Sequence, residues 1–224
     1  MLLKMKKDIC SIPISDVFEP KSGCPICRLH NMLEQRMIEY TLGASLMEPD
    51  VRIETNRLGF CSHHFEKLLG QRNRLGLALI LESHLEGVQK SAFSSAFSKS
   101  KPIDSCFICD NILVYIDRML DTLYILYNKE NDFRRLFEEQ QCLCLPHYHL
   151  LMKKAKADID KKLQSKFANE CERLSSGYLK ELIGDVHHFC SMFDYRNNSE
   201  DADWGNSKDA IERAVWYLTS RDGE

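Results

Sequence analysis

Apolar residues recur along this chain at steps of three and four, with almost none of the strict alternation that marks a half-buried strand. From Ile26 the apolar positions run Ile26, Leu29, Leu33, Met37, Tyr40 and Ala44, one face of a helix. Gly43 weakens its end and Pro49 stops it. A short helix then spans Asp50 to Leu58, capped by Pro49-Asp50 and ended by Gly59. A third helix opens at Cys61-Ser-His-His64 and runs through Leu68, Leu69, Leu75, Leu79 and Leu85. Its charge-poor segment, Leu75 to Leu81, is expected to be the most buried part.

The pattern then restarts. A shift of 82 places Cys24 on Cys106, Cys27 on Cys109 and Met37 on Met119. A shift of 83 places Cys61 on Cys144, His64 on His147, Phe65 on Tyr148 and Leu68 on Leu151. Ile108, Ile112, Tyr115 or Ile116, Met119, Leu123 and Leu126 repeat the first stripe, and Asp132 to Glu139, opened by Asn131-Asp132, repeats the short helix. A nearly constant shift shared by this many positions reads as a tandem duplication. After His147 the longest pattern runs from Tyr148 through Leu151, Ala155, Ile159, Leu163, Phe167, Cys171, Leu174 and Tyr178 to Leu182, with Gly184 closing it. A straight helix of that length measures about 50 Å, and a bend at Ser175-Ser176-Gly177 is equally allowed. The last helix is expected over Lys208 to Leu218, with Ser207 as cap and Ile211, Val215 and Leu218 on its buried side.

These elements predict an all-α fold of tandem three-helix units plus a C-terminal helix. Residues 1–21, with Pro13 and Pro20, read as an N-terminal arm, extended apart from a short turn or two. Residues 22–90 form the first repeat, and a linker follows over 91–103, its composition already shifting at Gly87 and ending in Lys101-Pro102. Residues 104–184 form the second repeat with the long helix, and 185–224 a tail that includes a polar, acidic loop over Asn197 to Asn206.

A chain of 224 residues can bury a core. Met-Leu-Leu-Lys-Met-Lys-Lys-Asp has no apolar stretch behind it, so it does not read as a secretory signal, and the longest apolar run is too short to cross a bilayer. The expected setting is the cytoplasm, where paired cysteines read as metal ligands or redox centres before structural disulfides. A net charge of -3 with both signs interspersed gives no basic face for nucleic acid. A protein partner is compatible with this surface; no membrane is expected, and the oligomeric state is not legible.

The chemistry lies in four short motifs: Cys24-Pro-Ile-Cys27, Cys61-Ser-His-His64, Cys106-Phe-Ile-Cys109 and Cys144-Leu-Pro-His147. Two residues between ligands let one tight turn aim both side chains at one ion, and three thiolates with one imidazole form a common closed zinc set. Each pair falls at a predicted helix start, where unpaired N–H groups favour thiolate over thiol. Two zinc ions per chain are expected. One would be held by Cys24, Cys27, Cys61 and His64, the other by Cys106, Cys109, Cys144 and His147, each stitching the first helix of a half to its third. The repeat selects His64 over His63 and Cys144 over Cys142. Cys10 and Cys142 read as spare thiols, Cys171 as a core cysteine and His149 as a surface residue.

Other readings stand beside this one. Buried free cysteines would leave the repeated spacing without a reason. A dithiol redox site would need a strand before Cys24-Pro-Ile-Cys27, and the second copy replaces the proline with Phe107. Iron-sulfur clusters can use such ligands, though the usual compact run of cysteines is missing. His187, His188 and Cys190, with His84 or His30, suggest a third, more open site for metal handling or metal-assisted hydrolysis. Packing of that aromatic segment over the helices is the plainer reading. No Gly-x-Gly-x-x-Gly, phosphate loop, Gly-x-Ser-x-Gly or His-Glu-x-x-His occurs. Whether the chain is an enzyme is left open, with a non-catalytic scaffold or binding module as the leading expectation.

The Gly-Cys-Pro-Ile-Cys27 start, the Leu-Gly-Phe-Cys-Ser-His-His64 element, the second Cys106/Cys109 and Cys144/His147 set and the Phe193-Asp194-Tyr195-Arg196-Asn197 segment resemble an uncharacterised family of helical proteins from anaerobic bacteria. The resemblance covers most of the chain. It implies the helical architecture and brings no activity with it.

Overall fold

The computed structural model describes residues 14–92, 105–194 and 203–220. Every regular element among them is helical. In chain order they are α1 (Ile14–Phe18), α2 (Pro25–Leu42), α3 (Pro49–Leu58), α4 (Ser62–Leu69), α5 (Arg74–Ala92), α6 (Phe107–Lys129), α7 (Asn131–Glu138), α8 (Leu145–Asp158) and α9 (Lys161–Ser191). A 3-10 turn over Gly205–Ser207 precedes α10 (Ala210–Thr219). The duplication is visible in the order of elements. A Cys-x-x-Cys opens α2 and α6, a short helix follows as α3 and α7, and a Cys-x-x-His opens α4 and α8. Cys10, Lys101-Pro102 and most of the acidic loop lie outside the described residues.

The chain forms two compact units. One comprises His30–Arg118; the other joins Pro13–Leu29 to Met119–Glu224. In the first, Leu33, Met37, Ile38, Val51, Leu68, Leu77 and Ile80 are buried. The expected single third helix is in fact α4 and α5, broken at Gly70 and restarted by Asn73. The Asn73 side chain accepts the Gly76 N–H at 2.9 Å and donates to the Leu42 carbonyl at 2.7 Å, so it caps α5 while tying it to α2. The expectation for Leu75–Leu81 also changes. Leu77 and Ile80 are buried, whereas Leu75 is 71% exposed, because a continuous apolar run wraps around a helix and only one face meets the core. Gly87 and its neighbours belong to α5, which runs to Ala92.

The second unit has an aromatic centre. Phe18 of α1 packs against Phe133 and Phe137 of α7 with ring centroids 5.3 and 5.8 Å apart. Phe167 of α9 meets Tyr127 edge-on at 4.8 Å and Tyr124 at 5.9 Å. Cys171 is fully buried beneath them, as a core cysteine should be. Residues 14–18 thus form a short helical turn of the arm, anchored by Phe18.

The long predicted helix is interrupted as well, though not near Gly177. Ile159 adopts an extended conformation between α8 and α9. Asn128 of α6 stabilises that break from both sides, donating to the Asp158 carbonyl at 2.8 Å and accepting the Asp160 N–H at 3.0 Å. α9 passes Gly184 and ends at Ser191. α10 buries Ala210 and Tyr217, while Ile211, Val215 and Leu218 are exposed. The Tyr217 hydroxyl lies 2.9 Å from Ser175 Oγ of α9, and this polar partner selects the tyrosine face. Ser207 sits in the 3-10 turn and Asp209 takes the cap position.

Candidate metal centres

All eight singled-out cysteines and histidines converge, but in pairs that cross the repeat. Cys24, Cys27, Cys144 and His147 form one set; Cys61, His64, Cys106 and Cys109 form the other, with ligand atoms in each set within 4.8 Å of one another. The pairing expected within each half is therefore corrected. Each set takes its Cys-x-x-Cys from one repeat and its Cys-x-x-His from the other, and each lies inside one compact unit.

Helix lengths within each repeat are unequal. α2 has 18 residues and is about 27 Å long, while the 10 residues of α3 span only about 15 Å. In the second repeat the mismatch is larger: 23 residues of α6, about 34 Å, against 8 residues of α7, about 12 Å. Neither short helix is long enough to retrace the helix before it, and each Cys-x-x-His stands with the Cys-x-x-Cys of the other repeat.

Backbone contacts hold each pair of helix starts together. The Phe107 N–H donates to the Gly59 carbonyl at 2.9 Å, and Ser105 Oγ donates to the Leu58 carbonyl at 2.8 Å. Around the other set the Gln141 N–H donates to the Lys21 carbonyl at 3.1 Å, and the Gly23 N–H to Gln141 Oε1 at 2.6 Å. Gly59 has φ +64° and a Cβ there would stand 2.8 Å from the His84 ring, so both conformation and space require glycine.

In the Cys24 set, His147 Nδ1 lies 3.0 Å from Cys144 Sγ, 3.3 Å from Cys27 Sγ and 3.6 Å from Cys24 Sγ, and the Cys27 and Cys144 sulfurs are 3.6 Å apart. All four residues are buried. In the Cys61 set, His64 Nδ1 lies 3.1 Å from Cys61, 3.2 Å from Cys106 and 3.4 Å from Cys109, with the Cys61 and Cys109 sulfurs 3.9 Å apart. Here Cys61 and Cys109 are only half-buried. Cys61 and Cys144 occupy N-cap positions without using their sulfur as a cap, so the sulfur is directed into the set.

The charges show what such a cluster favours. Burial pushes the Cys106 thiol up, but His64 and the Cys109 N–H, 3.5 Å from its sulfur, outweigh it and bring it down to about 6. Burial pushes His64 down, and Cys106, Glu34 and Cys61 overcome that to hold it up at about 10. Burial likewise opposes ionisation of Cys24, yet Cys144, Cys27 and His147 hold it well below the ordinary thiol range. Its neighbours then resist a second negative charge: Cys144 is pushed up to about 12, first by its contact with Cys24, and Cys27 is raised by Cys144 and Cys24. Three sulfurs this close call for positive charge at their centre.

One residue of the arrangement escaped the sequence reading. Glu34 of α2 is buried, and its Oε1 lies 2.8 Å from His63 Nε2 and 3.1 Å from His64 Nε2. The first contact is a hydrogen bond; the second is a close approach without hydrogen-bond alignment. Lys67 Nζ holds Oε2 at 3.1 Å. Burial pushes the Glu34 carboxyl up, but His64, His63 and Lys67 bring it down to about 2. The available signal was its phase, since Glu34 shares a helical row with Cys27, Ile38 and Thr41, all buried.

The remaining candidates do not join a set. Cys142 is buried near Cys24 and Cys144, and burial followed by those two sulfurs pushes it up to about 12. His187, His188 and Cys190 are exposed, and among the described residues no third ligand group forms around them. His188 Nε2 instead meets the Asp203 carbonyl at 3.0 Å, and neighbouring Phe189 packs on Phe193 and Trp204. His84 Nδ1 meets the Asn56 carbonyl at 2.9 Å, and His149 is exposed.

Fold and sites together define an all-helical duplicated protein with two Cys3His sets able to bind metal. The chain belongs to a family of unknown function (DUF6062), matched over residues 5–104 and again over 99–224. No curated protein and no solved structure matches the chain. No helix among the described residues is long and apolar enough to cross a membrane.

Proposed function

We propose that the chain binds two zinc ions, one in each Cys3His set, and serves as a non-catalytic scaffold or binding module whose fold those ions fasten. The observation that carries this reading is the size of the two sets. A tetrahedral ion with Zn–S near 2.3 Å and Zn–N near 2.0–2.1 Å has ligand–ligand edges of about 3.8 and about 3.5 Å. One S···S edge in each set is 3.6 and 3.9 Å respectively, the S···N separations are 3.0–3.6 Å, and all ligand atoms of a set lie within 4.8 Å of one another. An iron-sulfur cluster distributes its cysteines over several irons and needs a wider cage than this. Four protein ligands leave no open position for substrate, which supports a structural role over metal-assisted hydrolysis. The thiols have a metal-binding use in a reducing compartment such as the cytoplasm, where the protein would act, through a protein partner if through any.

The test is elemental analysis with an absorption spectrum on full-length protein purified without oxygen and without added metal. Two zinc atoms per chain and no visible absorbance are expected. Iron with labile sulfide and a brown absorbance would replace this reading with electron transfer.

A further inference from the structure

We propose that the two centres differ in kind: the Cys61 centre exchanges its divalent ion with thiolate or chelating ligands from solution, while the Cys24 centre keeps its ion. This rests on the zinc reading above. The first ground is access. Every ligand of the Cys24 set is buried. Cys61 and Cys109 are half-buried, and their sulfurs, 3.9 Å apart, form one edge of the other set. An incoming ligand can approach that edge without unfolding a helix.

The second ground is charge. Three thiolates, a neutral imidazole and a divalent ion sum to -1. At the Cys24 centre Arg28 immediately follows Cys27; its guanidinium is held by the Val17 carbonyl at 2.9 Å and Gln140 Oε1 at 2.8 Å, with Nη1 buried and free of other hydrogen bonds. This fixed cation compensates the centre. The duplication puts Asp110, an exposed carboxylate, at the matching position after Cys109, so the residue that follows the Cys-x-x-Cys carries the opposite charge in the Cys61 set.

Exchange also needs a histidine that stays in place while thiolates come and go. Glu34 supplies this, standing 3.1 Å from His64 Nε2 on the side away from the sulfurs, with His63, 48% exposed, sharing the same oxygen. The carboxylate's negative charge there favours the proton on Nε2 and leaves the lone pair on Nδ1. In the exchange step an incoming thiolate donates a lone pair to the ion as Cys61 or Cys109 departs with its own pair. The departing sulfur then takes the proton the incoming thiol released. The ion stays divalent and no electron moves.

The experiment loads the full chain with zinc and challenges it with excess 4-(2-pyridylazo)resorcinol, reading zinc release by absorbance with N-ethylmaleimide present. Two phases are expected, one equivalent each and separated at least tenfold in rate. Peptide mass spectrometry should find the early label on Cys61, Cys106 and Cys109 and not on Cys24, Cys27 or Cys144. Glu34→Ala should speed the fast phase about 10- to 100-fold and leave the slow phase unchanged, and Glu34→Gln, which keeps the shape but loses the charge, should speed it comparably; a Gln variant that behaves like the unsubstituted protein overturns the role given to the carboxylate. Release in a single phase, or early label on the Cys24 set, overturns the proposal even if Glu34→Ala misfolds, because both are read on the unsubstituted protein. A starting content below two zinc atoms would instead bring down the zinc reading, and this proposal with it.

Discussion

Cys27 and Cys144 are separated by 117 positions, yet their sulfurs stand 3.6 Å apart. Nothing local brings them together. Each set draws on both repeats, and in each repeat the first helix is nearly twice the length of the second, or more.

That crossing predicts an unusual pattern of metal loss. Cys27→Ser and Cys144→Ser damage the same centre, so the double variant should retain one zinc per chain. Cys27→Ser with Cys61→Ser damages both centres and should retain none. Metal content by plasma emission against protein concentration checks this; the reverse pattern would restore pairing within each half.

Removing metal should cost far more stability than any single core substitution. Structural zinc sites supply on the order of 10 kcal/mol of apparent folding free energy, and each set joins helix starts from distant parts of the chain. Chelation is expected to lower the thermal midpoint sharply with loss of helical circular dichroism. Acidification should act in the same direction, because the ligands must take up protons to release the ion. Cys109→Ser should lose one equivalent and show part of the same effect.

Cys171→Ala provides the contrast. Cys171 is fully buried, and burial followed by the Glu170 charge holds its thiol above the ordinary range. The variant should keep both ions and lose about 1–3 kcal/mol through the small cavity it leaves. Urea unfolding with metal analysis measures both quantities, and loss of an ion would overturn its assignment to the core.

Phe167→Ala should be costlier, about 3–5 kcal/mol, since Phe167 is the ring on which Tyr124, Tyr127 and Phe137 converge. Denaturant midpoints at constant zinc report it.

Gly59→Ala tests the joint beside Cys61. An alanine there must adopt φ +64° and push the His84 ring aside, for a cost of about 1–2 kcal/mol. The expected signature is lower stability with unchanged zinc content.

The sequence by itself determined the helical class, the duplication and the eight candidate ligand residues. These follow from local causes: 3.6-residue periodicity, Gly and Pro at helix ends, and two-residue ligand spacing that only a turn entering a helix can use. Tertiary structure decided which cysteines and histidines stand together in one set, because that depends on contacts between distant helices. It placed the break at Ile159, which rests on Asn128 some 30 positions earlier. It chose the Tyr217 face of α10 over the more apolar face of Ile211, Val215 and Leu218, because Ser175 of α9 offers the hydroxyl a partner. It also set Glu34 behind His64, where a carboxylate can stay charged only because His63, His64 and Lys67 surround it. Periodicity reports which face of a helix is buried; what that face meets is fixed by long-range packing.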